Sequence, residues 1–203
     1  MKRQFIFLMA TLALASLSLG SPTQAQEKEK GESMQMEKSM DSSSSMAMMK
    51  DLGPANKNYD QRFLDAMMGH HVGALVMAQD ALDKSKRPEI QKLSRDIIDS
   101  QKKEIGQMKT WRKAWYKPDT AGKAKEQGAS MAMMKDLGPA DKDYDQRFLD
   151  AMTEHHEGAL VMAQDALNKS KRPEIQKLSK NIIAAQKKEI GQMKTWRKAW
   201  YGK

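Results

Sequence analysis

Cysteine is absent from the 203 residues. That excludes disulfides and thiolate ligands. In an oxidising compartment, a protein that needs soft ligands can use methionine instead, because a thioether has no thiol to lose. Long hydrophobic runs are absent after Leu19, so no later stretch can span a bilayer. No glycine-rich loop is placed to cradle a phosphate, and no Ser-His-Asp arrangement is visible. The Glu-x-x-His spacing of di-iron bundles is also missing. The residues three positions before the four histidines are Met67, Met68, Met152 and Thr153.

What the chain does have is methionine, lysine and a repeat. There are 18 methionines, 16 once Met1 and Met9 are set aside with the N-terminal segment. Methionine ordinarily fills gaps in cores. That explains Met67, Met77, Met108 and their repeats, but not methionines set among serines and lysines. The net charge is +9, or +7 without Lys2 and Arg3. The lysines alternate with acids along the helices and read as solvated faces. Expected export argues against a nucleic-acid partner.

Residues 1–25 read as a signal peptide: Lys2-Arg3, an apolar run from Phe5 to Leu19, then Thr23-Gln24-Ala25. The mature chain is expected to be periplasmic or secreted. Residues 26–45 are rich in Glu, Lys, Ser and Gly and read as a disordered tail, although they carry Met34, Met36 and Met40. From there the chain is written twice. Met46-Ala47-Met48-Met49-Lys50-Asp51-Leu52-Gly53-Pro54 returns as residues 131–139, with Met131, Met133 and Met134 in the same places. Residues 46–117 form the first repeat, 118–130 a Pro/Gly-containing linker, and 131–203 the second repeat.

Within each repeat, apolar residues recur at helical spacing. Helices are expected over about 59–84, 89–116, 144–169 and 173–201. Asn58, with Gln61 three residues on, gives a polar helix start. Pro88 and Pro173 suit a first turn. Each short connection forces antiparallel neighbours. The fold class is therefore all-α. Two repeated helical hairpins close into one antiparallel four-helix bundle, with a dimer pairing hairpins between chains as the rival. Trp111, Trp115 and Tyr116 plug a bundle end.

At about 100° per residue, Phe63, Met67, His70, Ala74, Met77 and Ala81 share a stripe. Leu64, Met68, His71, Leu75, Ala78 and Leu82 lie beside it. Asp65, Gly69, Val72, Gln79 and Asp83 fall opposite. On the second helix, Gln101 and Glu104 fall inside the apolar arc, where an unpaired charge is costly. If the hairpin turns between residues 86 and 87, antiparallel neighbours have numbers totalling about 173, which sets Gln101 and Glu104 around His70 and His71. Gln186 and Glu189 stand likewise to His155 and His156.

The expectation is a polar layer across the bundle middle, with Met67, Met108, Met152 and Met193 about one turn away. Two readings remain open. The layer is a hydrogen-bond network that fixes register, or a metal site of imidazole, carboxylate and thioether, with Glu104 also able to orient a ligating histidine. Soft thioether with borderline imidazole suits Cu(I). The clusters Met46, Met48, Met49 and Met131, Met133, Met134 are candidate Cu(I) or Ag(I) ligands by the same chemistry. Thr153, Glu154 and Glu157 replace Met68, Gly69 and Val72, making the second site harder and more acidic.

Phe63-Leu64-x-x-Met67-x-x-His70-His71-x-x-Ala74-x-x-Met77-Ala78, followed by Ile97-Ile98-x-x-Gln101-x-x-Glu104-Ile105-x-x-Met108-x-x-Trp111, resembles domain-of-unknown-function family 305. With its duplication and Met-rich flanks, the chain looks like the periplasmic copper-binding form of that family over about residues 46–202. The resemblance implies a ferritin-like bundle, export, and binding of copper, as Cu(I) or Cu(II), with silver as its surrogate, in metal resistance. It carries ligand candidacy to Met67, His70, His71, Met77, Glu104 and Met108, and to Met152, His155, His156, Met162, Glu189 and Met193.

The leading expectation is a binding protein, not an enzyme, that sequesters or transfers Cu(I). Its partners are metal ions and other copper-handling proteins, and it is a monomer or dimer. The alternatives are a structural or interaction bundle and, behind it, a metal-dependent oxidoreductase.

Overall fold

The computed structural model describes residues 52–116 and 137–202. Four helices carry the fold: α1 Tyr59–Lys84, α2 Pro88–Trp115, α3 Tyr144–Lys169 and α4 Pro173–Tyr201. The boundaries agree with the sequence periodicity to within a residue. The described residues are all-α, as expected. The signal segment, the Met-containing tail, the linker and both Met-x-Met-Met clusters (Met46, Met48, Met49; Met131, Met133, Met134) lie outside the described residues.

Each hairpin turns on three residues. Ser85 is buried, its hydroxyl accepts from the Arg87 backbone N–H at 3.2 Å, and its carbonyl accepts from Gln91 at 3.0 Å. Ser170, Arg172 and Gln176 repeat this at the same distances. Pro88 and Pro173 open the returning helices, where the missing N–H costs nothing.

The expected side-chain cap at Asn58 does not form. Asn58 sits at φ −100°, ψ 0°, so its side chain cannot reach the first-turn amides. Asn56 accepts instead, from the Asn58 N–H at 3.1 Å. Arg62 then binds the entering chain, donating to the carbonyls of Leu52 and Pro54, and Arg147 does the same for Leu137 and Pro139. The chain turns at Gly53 (φ +86°) and Gly138 (φ +73°), a region that glycine enters at little cost.

Helix α1 packs on α2, α3 on α4, and α1 on α3. The hydrophobic core has two halves. One holds Tyr59, Phe63, Leu64 and Met67 of α1, Ile105 and Met108 of α2, the alanines 159, 163 and 166 of α3, and Ile175, Leu178 and Ile182 of α4. The other is its counterpart, with large residues from the N-terminal half of α3 and Ala74, Ala78 and Ala81 of α1. Each of α1 and α3 is thus bulky in its first half and small in its second. Running antiparallel, bulk meets space at both ends. Each Phe, Leu, Ile or Met buried here contributes roughly 1.5–3 kcal/mol.

Because α1 touches both α2 and α3, its buried arc is wider than one stripe. Gly69, which the helical count sets on the solvent side, is buried.

Candidate functional site

The four histidines occupy the level between the two half-cores. His70, His71 and His156 are fully buried and His155 is 8% exposed. His70 and His155 meet across the α1–α3 contact, with ring centroids 3.7 Å apart and planes tilted by 42°. They come from equivalent positions, so they mark the axis that relates the hairpins. Neither ring nitrogen of either residue has a hydrogen-bond partner in the chain. Each ring also lies close to the other residue's backbone, a contact that offsets a small part of the pKa shift.

Burial holds the pKa of both rings well below the ordinary imidazole value. For His70 the neighbouring His155, His71 and His156 push the same way, and for His155 the neighbours His156 and His71 do. A proton placed here puts a charge on a buried ring beside other imidazoles, which disfavours it.

The other two histidines are satisfied within their own hairpins. His71 Nε2 lies 2.6 Å from Glu104 Oε2, and His156 Nε2 lies 2.8 Å from Glu189 Oε2. The Glu104 and Glu189 side chains are 19% and 18% exposed, so each carboxylate keeps an edge in water while its other oxygen reaches the core. Both Nδ1 atoms are left without a partner.

The expected polar layer therefore exists, with a shifted register. His71 and Glu104 have numbers totalling 175, and Asp65 pairs with Arg112, totalling 177, against the 173 expected from backbone level. Side chains on a helix lean toward its N-terminus. In an antiparallel pair both lean, so touching residues lie further apart in sequence than level ones. Gln101 and Gln186 are buried at 3% exposure, and their carbonyl oxygens lack partners in the chain.

The methionines are redistributed by the fold. Met67 and Met108 share their half-core with Met162 of the other hairpin. Met152 and Met193 share theirs with Met77. All six are at most 2% exposed. Each half-core thus gathers three thioethers, two from one hairpin and one from its neighbour. In the first half-core Met68 joins them. Its counterpart Thr153 points its hydroxyl at Met193 Sδ, 3.9 Å away.

The family model described as Domain of unknown function (DUF305) matches residues 9–112 and 60–197. The chain belongs to this family. Among solved structures, this DUF305 chain is similar to CopM in its Ag-bound form obtained by soaking. Identity is 38%, 70% of this chain and 98% of that chain are covered, and the TM-score is 0.61. CopM has also been crystallised in Cu(II)-bound and Cu(I)-bound forms. A DUF305 fragment from Deinococcus radiodurans is 30% identical over 70% of this chain and 97% of that one, TM-score 0.56. A putative secreted DUF305 protein from Streptomyces coelicolor is 29% identical over 66% and 88%, TM-score 0.57. No curated protein matches.

Three or more His, Asp or Glu side chains do not converge as a metal set among the described residues of this DUF305 chain. The four-histidine, two-glutamate layer is therefore two His–Glu pairs plus one His–His pair. What it offers a cation is imidazole nitrogen: one lone pair each on the neutral rings of His70 and His155, and the unpartnered Nδ1 atoms of His71 and His156. That donor set, with thioethers above and below, matches a soft monovalent ion and not a hard divalent one.

One group of residues was not foreseen from the sequence. Tyr59 donates to Asp165 at 2.8 Å and Tyr144 to Asp80 at 2.7 Å, tying α1 to α3 at both ends of the bundle. Burial, followed by the neighbouring carboxylate, raises both tyrosine pKa values far above the ordinary phenol range. The available signal was a polar residue at a core-facing position of each helix.

Proposed function

We propose that this DUF305 protein binds Cu(I), and Ag(I) as its surrogate, through histidine nitrogen and methionine sulfur, and that it stores or hands on the ion without catalysing a reaction. The observation that carries the reading is the His70–His155 pair. Two fully or almost fully buried neutral imidazoles face each other with no hydrogen-bond partner in the chain, at a level flanked by four methionines on one side and three on the other. Leaving a buried polar group unsatisfied costs about 1–3 kcal/mol. A ligand that uses those nitrogens recovers that cost.

His71 and His156 would then present Nδ1, with Glu104 and Glu189 holding the opposite nitrogen and so the ring orientation. The likeness to CopM, crystallised with silver and copper, supports the ion class. The signal-like N-terminus and the secreted DUF305 relative support a periplasmic or secreted site of action. The missing Glu-x-x-His spacing supports a binding protein over a di-iron enzyme.

The second reading is a structural bundle whose His–Glu bonds fix register. The short His71–Glu104 and His156–Glu189 contacts favour it. One titration separates the two. Cu(I), held reduced, and Ag(I) are titrated into the full chain and into a Met67→Leu, Met108→Leu, Met162→Leu variant. Leucine conserves the packing, with less than about 1.5 kcal/mol lost per site. Loss of an equivalent of bound metal in a folded variant supports the binding reading. Unchanged stoichiometry and affinity, together with unchanged binding in a His70→Leu variant, would leave only the structural one.

A further inference from the structure

The contacts between the two hairpins come in matched pairs. Lys169 donates to the Gly53 carbonyl at 3.0 Å, and Lys84 to the Gly138 carbonyl at 2.9 Å. Arg172 pairs with Asp60 at 3.2 Å, and Arg87 with Asp145 at 3.3 Å. The same two arginines lie over Trp115 and Trp200, each 4.1 Å from the ring centroid. The two Tyr–Asp bonds follow the same rule. Every residue in these pairs is identical in the two repeats. His70 with His155 needs no twin, because the two are themselves equivalent residues on the axis.

The apolar part obeys the same symmetry. Bulk in the first half of α1 fills space beside the second half of α3, and the reverse holds at the other end. A surface that meets its own equivalent across a twofold is self-complementary. Nothing in these contacts distinguishes the neighbouring hairpin from another copy of the same hairpin.

We propose that each hairpin of this chain fits a second copy of itself, so that hairpins exchange between chains and the histidine layer is rebuilt as His70 with His70, or His155 with His155, of the partner chain. The substitutions Met68 to Thr153, Gly69 to Glu154 and Val72 to Glu157 leave all the matched contacts above untouched. They would give the two like pairs different surroundings: methionine-rich in one, acidic in the other.

The joining segment permits exchange. The residues to be joined lie at opposite ends of the bundle: Tyr116 follows Trp115 at the end that holds Arg172, and Leu137 precedes Gly138 at the end that holds Lys84. α1, with its 26 residues, is about 39 Å long. A chain of 20 residues reaches roughly 66–72 Å, enough to connect hairpins in one bundle or in two.

The test keeps the full chain. A protease site is placed within 118–130 and cut after folding, which leaves both hairpins present without a covalent link. Unlabelled and 15N-labelled cut proteins are mixed, carried through moderate urea and back, and weighed by native mass spectrometry. First–first and second–second pairs are expected beside first–second pairs, with labels mixed. Recovery of first–second pairs alone overturns the proposal. Should the separated hairpins fail to refold, the intact chain decides it. Refolded at rising protein concentration, it gives a dimer of undiminished helicity if the surface is exchangeable. If only monomer returns at every concentration, the proposal is wrong.

Discussion

Replacing His70 with leucine should make the metal-free protein more stable. His70 is fully buried and neither ring nitrogen has a partner in the chain. Its removal relieves a desolvation cost of about 1–3 kcal/mol. The swap to a similar apolar volume takes back less than about 1.5 kcal/mol. The net gain at pH 7.5 should therefore be near 1 kcal/mol, or about 2–4 °C in Tm for a domain of this size.

The acid side of the stability curve gives an independent reading. His70 and His155 have folded pKa values well below 6.5. The unfolded chain therefore binds protons that the folded chain refuses as pH falls below 6.5. Stability is full above that value and drops beneath it, by up to about 1.4 kcal/mol per pH unit for each ring, or about 2.7 for the pair. The His70→Leu substitution should halve that share of the slope. Urea denaturation of both proteins with chelator present, at pH 7.5, 6.5, 6.0 and 5.5, measures both quantities. A variant less stable by more than about 1 kcal/mol at pH 7.5, with an unchanged acid slope, would refute the idea that the imidazole is held at a cost to the fold.

Three further outcomes follow from the same contacts. Glu104→Leu strips His71 of its partner at Nε2 and should cost about 1–3 kcal/mol, whereas Glu104→Gln keeps an acceptor there and should cost clearly less in the same urea titration. Tyr59→Phe and Tyr144→Phe each remove a hydrogen bond to a carboxylate at opposite ends of the bundle. Each should cost about 1–2 kcal/mol, and the double variant should show the sum to within about 0.5 kcal/mol; strong coupling would contradict two separate ties. Gly53→Ala forces a side chain to φ +86° with its Cβ 3.3 Å from Arg62 and should lower stability by about 1–2 kcal/mol; thermal denaturation at a Tm equal to wild type would show that this turn is not strained.

The amino-acid order alone set the four helices, because amphipathic periodicity, Pro88 and Pro173 are local signals. It also set the existence of a polar layer, because Glu104 and Gln101 fall on an apolar arc wherever α2 packs. His71 with Glu104 was legible to within two residues. The remainder came from the lean of side chains, which a level count ignores. The large-to-small gradient along α1 and α3 is also written in the sequence, but its meaning appears only once an antiparallel partner is in place.

Other features belong to the tertiary structure. Periodicity puts His70 and His71 side by side on one arc, yet their fates differ. His71 faces α2 and finds a carboxylate, while His70 faces α3 and finds its own counterpart at 3.7 Å. Which methionines share a half-core also depends on how one hairpin crosses the other, so Met162 joins Met67 and Met108 although it lies far from both in the chain. Local order along a helix follows from residue spacing, but a contact between hairpins is fixed by where the twofold falls, and that is decided by bulk meeting space along the whole length of α1 and α3.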